Sequence, residues 1–472
     1  MAAVVVDRVA TKFPKINQIL LIFSLLFSSL YAEGKEQVPL IQSDLNASLI
    51  THDLTSYYQN SFYMLGGYAP LITKDMNLSE YDWNALHTKW VNMRAVAIVA
   101  LDASQFSQDN KNKQHVGDMS PYDRFDVRGL RLGLAGTLNF EDPWTYLAVV
   151  SFNSLLKDFD AAVNDRYTLY DAVVGIPLWG EYTRLHIGKM KEPISMELSM
   201  GLVFEQIMER PMHIEALFPS RNIGIAFSDM NFDGRVSWKV GIFNDWLEEE
   251  QFSFSQSNQQ FIGRVSAVAY EDSAEERLLH LGVGYRYEDV REEGIRYESG
   301  PEQWFVDPWI DTGTFAAEST TTLNLEMDYL DGPLWLASEY TATLVDAEEY
   351  ANPIFRGYHL TANYFFTGEH RGYNKQKGTV RRITPVLDFT NGGWGAVEIS
   401  GRYSSLDLSD KGIDGGEMQI SSLALIWHPR RDTQFQIQWS RAHLKRNDLE
   451  IDTIPTKSNS DILQFRWVMV ID

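Results

Sequence analysis

Hydrophobic and polar residues alternate one by one along most of the chain from about Val91 onward. Residues 323–329 (LNLEMDY) and 435–440 (FQIQWS) alternate strictly, and the same period of two recurs in 281–287, 397–403 and 464–469. Alternation of this kind predicts β-strands whose side chains form one apolar and one polar face. The pattern therefore predicts an all-β protein built from many amphipathic strands.

Turn sequences and polar stretches separate these strands. Asp331-Gly332-Pro333 and Asn391-Gly392-Gly393 are typical of hairpin turns. Longer connections are predicted at the polar stretches 107–123, 244–258, 288–318 and 404–418. Short turns on one side and long loops on the other are typical of a transmembrane antiparallel β-barrel. A soluble β-sandwich would also alternate, but it needs fewer strands than this chain offers.

The N-terminal region follows a different pattern. Arg8, Lys12 and Lys15 precede an apolar run at 19–30, and Leu30-Tyr31-Ala32 suits a cleavage site, so residues 1–32 are predicted to be a signal peptide. Residues 33–90 lack sustained alternation and are predicted to be an N-terminal extension of unknown role. Residues 91–472 form the predicted barrel domain.

Later apolar runs limit how the exported chain could cross a membrane. After Ala32 none approaches the ~18 residues that a transmembrane helix requires. A membrane location would then require a closed barrel, because only helices and closed barrels satisfy every backbone polar group in lipid. The aromatic content of 13% suits the aromatic girdles of such barrels.

Charge and motifs exclude several other functions. A net charge of -23 opposes binding to nucleic acid, because the phosphates would be repelled. The chain has no cysteine and none of the motifs of α/β-hydrolases, zinc proteases or phosphate-binding loops. Ser440 and His443 are the one Ser/His pair close enough in sequence to suggest a hydrolase. The sequence thus predicts no enzyme, with no catalytic residue, no metal ligand and no cofactor.

Two regions resemble a known family. The first is Asp126-Val127-Arg128-Gly129-Leu130-Arg131-Leu132-Gly133-Leu134-Ala135-Gly136, and the second joins Gly188-Lys189-Met190-Lys191-Glu192-Pro193, Met208-Glu209-Arg210-Pro211 and Phe218-Pro219-Ser220-Arg221-Asn222-Ile223-Gly224. Together they resemble the phosphate- and polyphosphate-selective porins, the porin O/P family. The resemblance implies a 16-stranded barrel in a Gram-negative outer membrane. It also implies a homotrimer, an inward-folded constriction loop and basic residues along the pore.

Strand parity predicts which side chains face the interior of the barrel. It selects seven basic residues against four acidic ones: Arg131, Arg184, Lys239, Arg264, Arg286, Arg402 and Arg466 against Glu326, Asp328, Glu339 and Glu398. Each arginine could line the pore or form a salt bridge within the barrel wall. As a set, they predict a mildly cationic pore, because the charges at a constriction determine selectivity.

A second group of basic residues lies in the stretch 189–224. Three prolines in this stretch exclude a central strand, so a hairpin with a long loop is predicted. A loop that carries Lys and Arg into the pore would offer donors to phosphate oxygens, unless Glu192, Glu209 and Asp229 neutralise them. The predicted anion-binding or pore-lining residues are Arg131, Lys189, Lys191, Arg210, Arg221, Arg184, Lys239, Arg286 and Arg402.

The predicted function is passive diffusion of small anions, such as phosphate or polyphosphate, across the outer-membrane lipid. The family often carries a denser basic run than Arg128-Gly129-Leu130-Arg131, and this chain is strongly acidic. Two alternatives therefore stay open: a general porin with weak or cationic selectivity, and a structural barrel plugged by residues 33–90. An outer-membrane barrel hydrolase is a further alternative.

Overall fold

The computed structural model describes residues 84–152, 168–245, 258–291, 294–446 and 456–472. The predicted signal peptide and most of the predicted N-terminal extension lie outside these residues. No helix in these five ranges is long and apolar enough to cross a membrane.

The described chain is almost entirely β-structure. In chain order the strands are β1 (Ala85–His87), β2 (Val91–Gln108), β3 (Phe125–Leu138), β4 (Trp144–Ser151), β5 (Thr168–Pro177), β6 (Arg184–Met190), β7 (Asn222–Asn231), β8 (Val236–Asn244), β9 (Gln259–Asp272), β10 (Arg277–Asp289), β11 (Glu298–Ser299), β12 (Ile310–Asp311), β13 (Ser319–Asp331), β14 (Leu334–Asp346), β15 (Ile354–Phe365), β16 (Tyr373–Asn374), β17 (Thr379–Val380), β18 (Ala396–Asp410), β19 (Ile413–Arg430), β20 (Thr433–Lys445) and β21 (Lys457–Ile471). The helices are α1 (Asn110–Val116), α2 (Met196–Ser199) and α3 (Met212–Leu217), with 3-10 turns at Ser120–Tyr122, Glu348–Tyr350 and Phe389–Asn391.

Sixteen of the described strands close into one antiparallel barrel, which confirms the predicted fold class. β2 closes the ring because it pairs with β3 on one side and with β21 on the other, from Ala97 opposite Ile471 to Gln108 opposite Ser460. β1 pairs with residues 92–94 of β2, beyond the end of β21. The short hairpins β11–β12 and β16–β17 lie in connections and are not part of the wall.

The burial pattern of the wall is the reverse of that in a soluble protein. In β13, Leu325 is 45% exposed, whereas its neighbour Glu326 is 4% exposed. The same alternation places leucine, tyrosine and phenylalanine outside and charged or amide side chains inside on most strands. An apolar outer face and a polar interior suit a barrel whose solvent is lipid.

One predicted turn is confirmed, and two other predicted connections differ in the structure. The hairpin at Asp331-Gly332-Pro333 is confirmed, because Asp331 lies opposite Leu334. The long connection predicted at 404–418 is wrong: β18 continues to Asp410 and β19 begins at Ile413. Polar residues extend both strands, so the apolar alternation ends before the strands do. Asn391-Gly392-Gly393 closes a longer connection, 366–395, between β15 and β18.

Candidate functional site

The connection between β6 and β7, residues 191–221 and here named the inner loop, crosses the interior of the barrel. It starts on β6, yet the backbone N–H of Glu197 donates to Oε1 of Glu339 on β14 at 2.7 Å. The N–H of Met208 donates to Oε1 of Gln438 on β20 at 2.8 Å. The loop therefore reaches walls far from its own strands, and it narrows the passage as the family resemblance implied.

Two wall glycines allow the inner loop to approach the wall closely. A Cβ at Gly284 would lie 1.8 Å from the carbonyl oxygen of Ile194, and a Cβ at Gly357 would lie 2.3 Å from Cβ of His213 on α3. Such distances are far below van der Waals contact. Each glycine is therefore required by the packing of the loop.

Glu209 fixes the far end of the inner loop. Its carboxylate accepts two hydrogen bonds from Arg128 on β3, at 2.7 and 2.8 Å, and one from Arg466 on β21. Arg466 in turn donates to both oxygens of Asp102, at 2.7 and 2.6 Å. Burial alone would raise the pKa of Glu209, but the charges of the two arginines outweigh it and lower the pKa to about 2. Glu209 is therefore ionised at neutral pH.

Four of the predicted site residues form two pairs: one pair flanks an aromatic ring, and the other shares a carbonyl oxygen. The Tyr170 ring lies between two guanidinium groups, with Cζ of Arg131 at 4.2 Å and Cζ of Arg221 at 3.5 Å from its centroid. Lys191 and Arg210 both donate to the carbonyl oxygen of Met200, at 2.5 and 3.1 Å. We call Arg131, Lys191, Arg210 and Arg221 the basic cluster.

Two β-bulges bring in residues that strand parity does not predict. In β5, Val149 pairs with Asp171 and Val150 pairs with Leu169, so Tyr170 is the extra residue. In β3, Ala100 pairs with Gly129 and Leu101 with Val127, so Arg128 is extra. A bulge places two consecutive side chains on nearly the same face. Sequence alternation gives no signal for a bulge, so it does not predict that Tyr170 and Arg128 face the interior.

The basic cluster is only partly neutralised. Nε of Arg221 lies 2.9 Å from Oδ1 of Asp171, and Nε of Arg210 lies 3.6 Å from Oε1 of Glu205. Arg131 is 6% exposed, and within the described ranges no carboxylate lies within 4.0 Å of its guanidinium. This group is therefore a buried positive charge whose described neighbours are other arginines and an aromatic ring.

Burial and neighbouring charges both act on the pKa of Lys191. Burial lowers this pKa well below its usual range, and the positive charges of Arg210 and Arg221 lower it further. Positive charges have this effect because they disfavour one more cation. Asp171 and Glu205 oppose these positive charges in part, and the charges of Arg210 and Arg221 would favour an anion nearby.

Other predicted site residues lie away from the Tyr170 ring. Arg286 is paired with Glu192 at 2.8 Å and with Glu288 at 2.7 Å, and Arg402 is paired with Glu302 of the connection 290–318. These contacts favour salt bridges, the alternative considered for each luminal arginine, although only Glu288 belongs to the wall, whereas Glu192 and Glu302 belong to connections. Glu192 and Glu209 do neutralise basic groups, but the groups are wall arginines and not the basic residues of the inner loop.

The remaining predicted residues lie on β6 and β8. Arg184 donates to the carbonyl oxygen of Thr183 at 2.9 Å, near a short turn. Lys239 is buried opposite Arg264 in the sheet register. Lys189 is buried opposite Ala172 and Ile223, directly after Gly188, whose φ of 131° interrupts regular alternation.

The connection 366–395 enters the interior from the opposite end. Arg264 donates to the carbonyl oxygens of Lys377 and Gly378, at 3.0 and 2.7 Å, and pairs with Glu326 at 2.7 Å. Arg371 of the same connection pairs with Glu398 at 2.8 Å. No periodicity marked this segment, because irregular backbone has no repeating pattern.

Ser440 and His443 do not form a Ser–His pair. Ser440 is buried and hydrogen-bonded to Ser422 at 2.8 Å, whereas His443 is exposed and contacts Asn459. The two residues are three positions apart in β20, so they point to opposite faces of the strand.

The chain matches a known protein family over most of its length. Residues 96–467 match the family described as phosphate-selective porin O and P. A curated protein of Caulobacter vibrioides, described as uncharacterized, is 28% identical over 254 residues, which are 52% of this chain and 50% of the relative. The chain thus spans about half the length of that curated relative.

Several solved structures are similar to this chain. An anion-selective porin from Comamonas acidovorans has a TM-score of 0.49 and 13% identity, covering 81% of this chain and 100% of that chain. The outer membrane channel DcaP of Acinetobacter baumannii has a TM-score of 0.47 and 9% identity, covering 82% and 99%. OmpT of Vibrio cholerae has a TM-score of 0.47 and 10% identity, covering 81% and 99%.

The family match includes the inner loop and all strands from β3 to β20. This family and the closed barrel are those of a channel rather than of an enzyme. The chain belongs to the phosphate-selective porin O and P family, and its closed antiparallel β-barrel is the fold of a porin.

Proposed function

We propose that this porin passes small anions by passive diffusion, with phosphate or polyphosphate among its solutes. The observation that carries the proposal is the basic cluster, in which Arg131 and Arg221 flank the Tyr170 ring at 4.2 and 3.5 Å. The cluster lies where the inner loop narrows the passage. Because the charges at a constriction determine ion selectivity, this position favours anions.

Arg131 is the residue best suited to contact a permeating anion. Its guanidinium has no described carboxylate within 4.0 Å, and its Nε has no hydrogen-bond partner among the described residues. Guanidinium groups bind phosphate oxygens through charge-assisted hydrogen bonds. A phosphate beside Arg131 would therefore supply the acceptors that the described residues do not.

Weak or cationic selectivity is the second candidate, and two acidic residues favour it. Asp328 accepts a hydrogen bond from Nε1 of Trp335 at 3.0 Å, and Glu339 accepts from Asn324 at 2.8 Å. Neither carboxyl group lies within 4.0 Å of a cationic nitrogen in the part of the chain that the structure describes. In their ionised forms, these interior acids would attract cations if the passage ran along β13 and β14.

Reversal potential in planar bilayers under a potassium chloride gradient separates the two candidates. We expect chloride preference and block of the current by phosphate in the millimolar range. Arg131→Gln should reduce both effects, whereas Arg356→Gln removes the same charge from an exposed position on β15 and should change neither. Cation preference without phosphate block would refute the proposal, and absence of channels would favour the plugged barrel.

A further inference from the structure

Three aromatic rings from two connections meet at the end of the barrel that carries most of the long connections. Tyr122 lies in the connection 109–124, and Trp304 and Phe305 lie in the connection 290–318. The Tyr122 and Phe305 rings stack with centroids 6.0 Å apart, and the Trp304 and Phe305 rings meet edge to face at 5.3 Å. We call these three rings the aromatic shelf. Each is half-buried, so part of each ring is open to solutes.

Two arginines cover faces of the aromatic shelf. Cζ of Arg124 lies 5.5 Å from the Phe305 centroid and 5.8 Å from the Tyr122 centroid, and Cζ of Arg128 lies 5.3 Å from the Trp304 ring. Cations at these distances are attracted to ring faces. Nε of Arg124 pairs with Oδ2 of Asp126 at 2.5 Å, but the side chain is 43% exposed, so its other guanidinium nitrogens can contact an anion from solution. The shelf thus combines apolar ring surface with an accessible positive charge.

The aromatic shelf lies on the route towards the basic cluster. Arg128, which covers Trp304, is the same residue that binds Glu209 of the inner loop. Arg131 is three residues further along β3, which is about 10 Å at the usual rise of a strand. A solute entering from this end would therefore meet the aromatic shelf before the basic cluster.

Hydrogen-bonding groups beside the rings remain unsatisfied. Gln303 is 5% exposed, and neither side-chain amide atom has a partner among the described residues; the same holds for Nε1 of Trp304. Buried polar groups normally have partners, so such groups call for an explanation. Oxygen atoms of a bound solute, reached by a small shift of these side chains, would supply acceptors for the two donors, Nε2 of Gln303 and Nε1 of Trp304.

We propose that the aromatic shelf binds organic phosphates that carry a planar ring, ahead of the basic cluster. The ring would pack on Trp304 and Phe305 while the phosphate contacts Arg124. This inference deepens the proposed function and rests on it, because it names the class of anion that the pore concentrates.

Phenyl phosphate and methyl phosphate test this inference, because they share a phosphate monoester and differ in the ring. We expect phenyl phosphate to block the wild-type current at about fivefold lower concentration, which corresponds to about 1 kcal/mol of ring stacking. Trp304→Leu and Phe305→Leu should each reduce this ratio towards one. Phe125→Leu, at a ring that is 72% exposed and outside the shelf, should preserve the ratio.

The outcomes separate the shelf from the proposed function. Equal block of the wild-type channel by both esters, in a pore that still prefers chloride, would refute ring binding at the aromatic shelf. It would leave the proposed function intact. A ratio that persists in both leucine variants would also overturn the shelf. Cation preference with no block by either ester would refute both the proposed anion passage and ring binding at the aromatic shelf. The wild-type comparison needs no variant, so it stands even if a variant fails to fold.

Discussion

Replacement of Gly357 by alanine should displace the inner loop from the barrel wall. Gly357 lies on β15, and the added Cβ would lie 2.3 Å from Cβ of His213 on α3 and 2.8 Å from the carbonyl oxygen of Ser405 on β18. The paired strands of the wall resist movement. The helix is therefore the part that must shift, and it must move away from β15 into the lumen.

The size of the shift follows from van der Waals contact. Carbon atoms in contact are about 3.5–4.0 Å apart, so α3 must move by about 1.2–1.7 Å. His213 now makes hydrogen bonds of 3.1 Å to Nδ1 of His359 and 2.9 Å to Oγ1 of Thr341. Stretching by that amount takes both beyond hydrogen-bond range. The loss should cost about 2 kcal/mol of loop docking, at about 1 kcal/mol for each bond.

Single-channel conductance of the Gly357→Ala variant measures this displacement. A helix moved towards the axis narrows the passage, so conductance should fall below the wild-type value. Gly401→Ala is the matched control, since the nearest neighbour of its Cβ is 3.9 Å away, and it should conduct like the wild type. An unchanged or larger conductance in Gly357→Ala would refute the reasoning.

Three further predictions concern the charges and the ring at the inner loop. Glu209→Ala breaks a buried ion pair with Arg128 and Arg466, which typically costs about 3–5 kcal/mol, so its single-channel current should fluctuate more than the wild-type current. Burial raises the pKa of Glu197 to about 7, so this carboxyl gains its negative charge as pH rises through 7. Chloride preference, measured by reversal potential from pH about 6 to about 8, should therefore fall with pH, and Glu197→Gln should flatten the dependence. Tyr170→Leu removes the ring between Arg131 and Arg221, so phosphate block should change while a Tyr170→Phe control resembles the wild type.

Glu197 also links pH to the docking of the inner loop. Its folded pKa is raised, so the neutral carboxyl is the form that the buried site accommodates. The stability that this form contributes is present at acidic pH and is lost as pH rises through about 7. Among the groups around Glu197, Arg402 and Arg210 oppose the shift, and Glu205 and Glu302 reinforce it. The carboxyl group of Glu339 also lies beside it and accepts a hydrogen bond from the backbone N–H of Glu197 at 2.7 Å.

Alternation was sufficient to predict the wall of the barrel. A strand between lipid and water must place apolar and polar side chains on opposite faces, so Leu325 and Glu326 could be assigned to opposite faces before their positions were known. Prolines 193, 211 and 219 were likewise sufficient to predict a loop between β6 and β7. Both predictions depend on local backbone requirements, which a sequence records directly.

The contacts inside the barrel could not be predicted in the same way. Arg128 and Tyr170 face the interior only because a bulge shifts the register at each position. The partners of Glu209 come from β3 and β21, which are far from it in sequence. Such contacts depend on how the inner loop crosses the lumen, and no repeating pattern encodes that path.

The strongly acidic composition and the proposed anion preference are compatible because selectivity is a local property. A net charge of -23 is a sum over the whole chain, whereas salt at physiological concentration screens exposed charges beyond about 8 Å. A permeating ion therefore responds mainly to the groups at the constriction. There Arg131 is a described cation without a carboxylate within 4.0 Å, and Asp328, Glu339 and Glu197 are described acids without a cationic nitrogen within 4.0 Å. Selectivity thus depends on whether the passage runs along β3 or along β13 and β14, which is why Arg131→Gln is the decisive substitution.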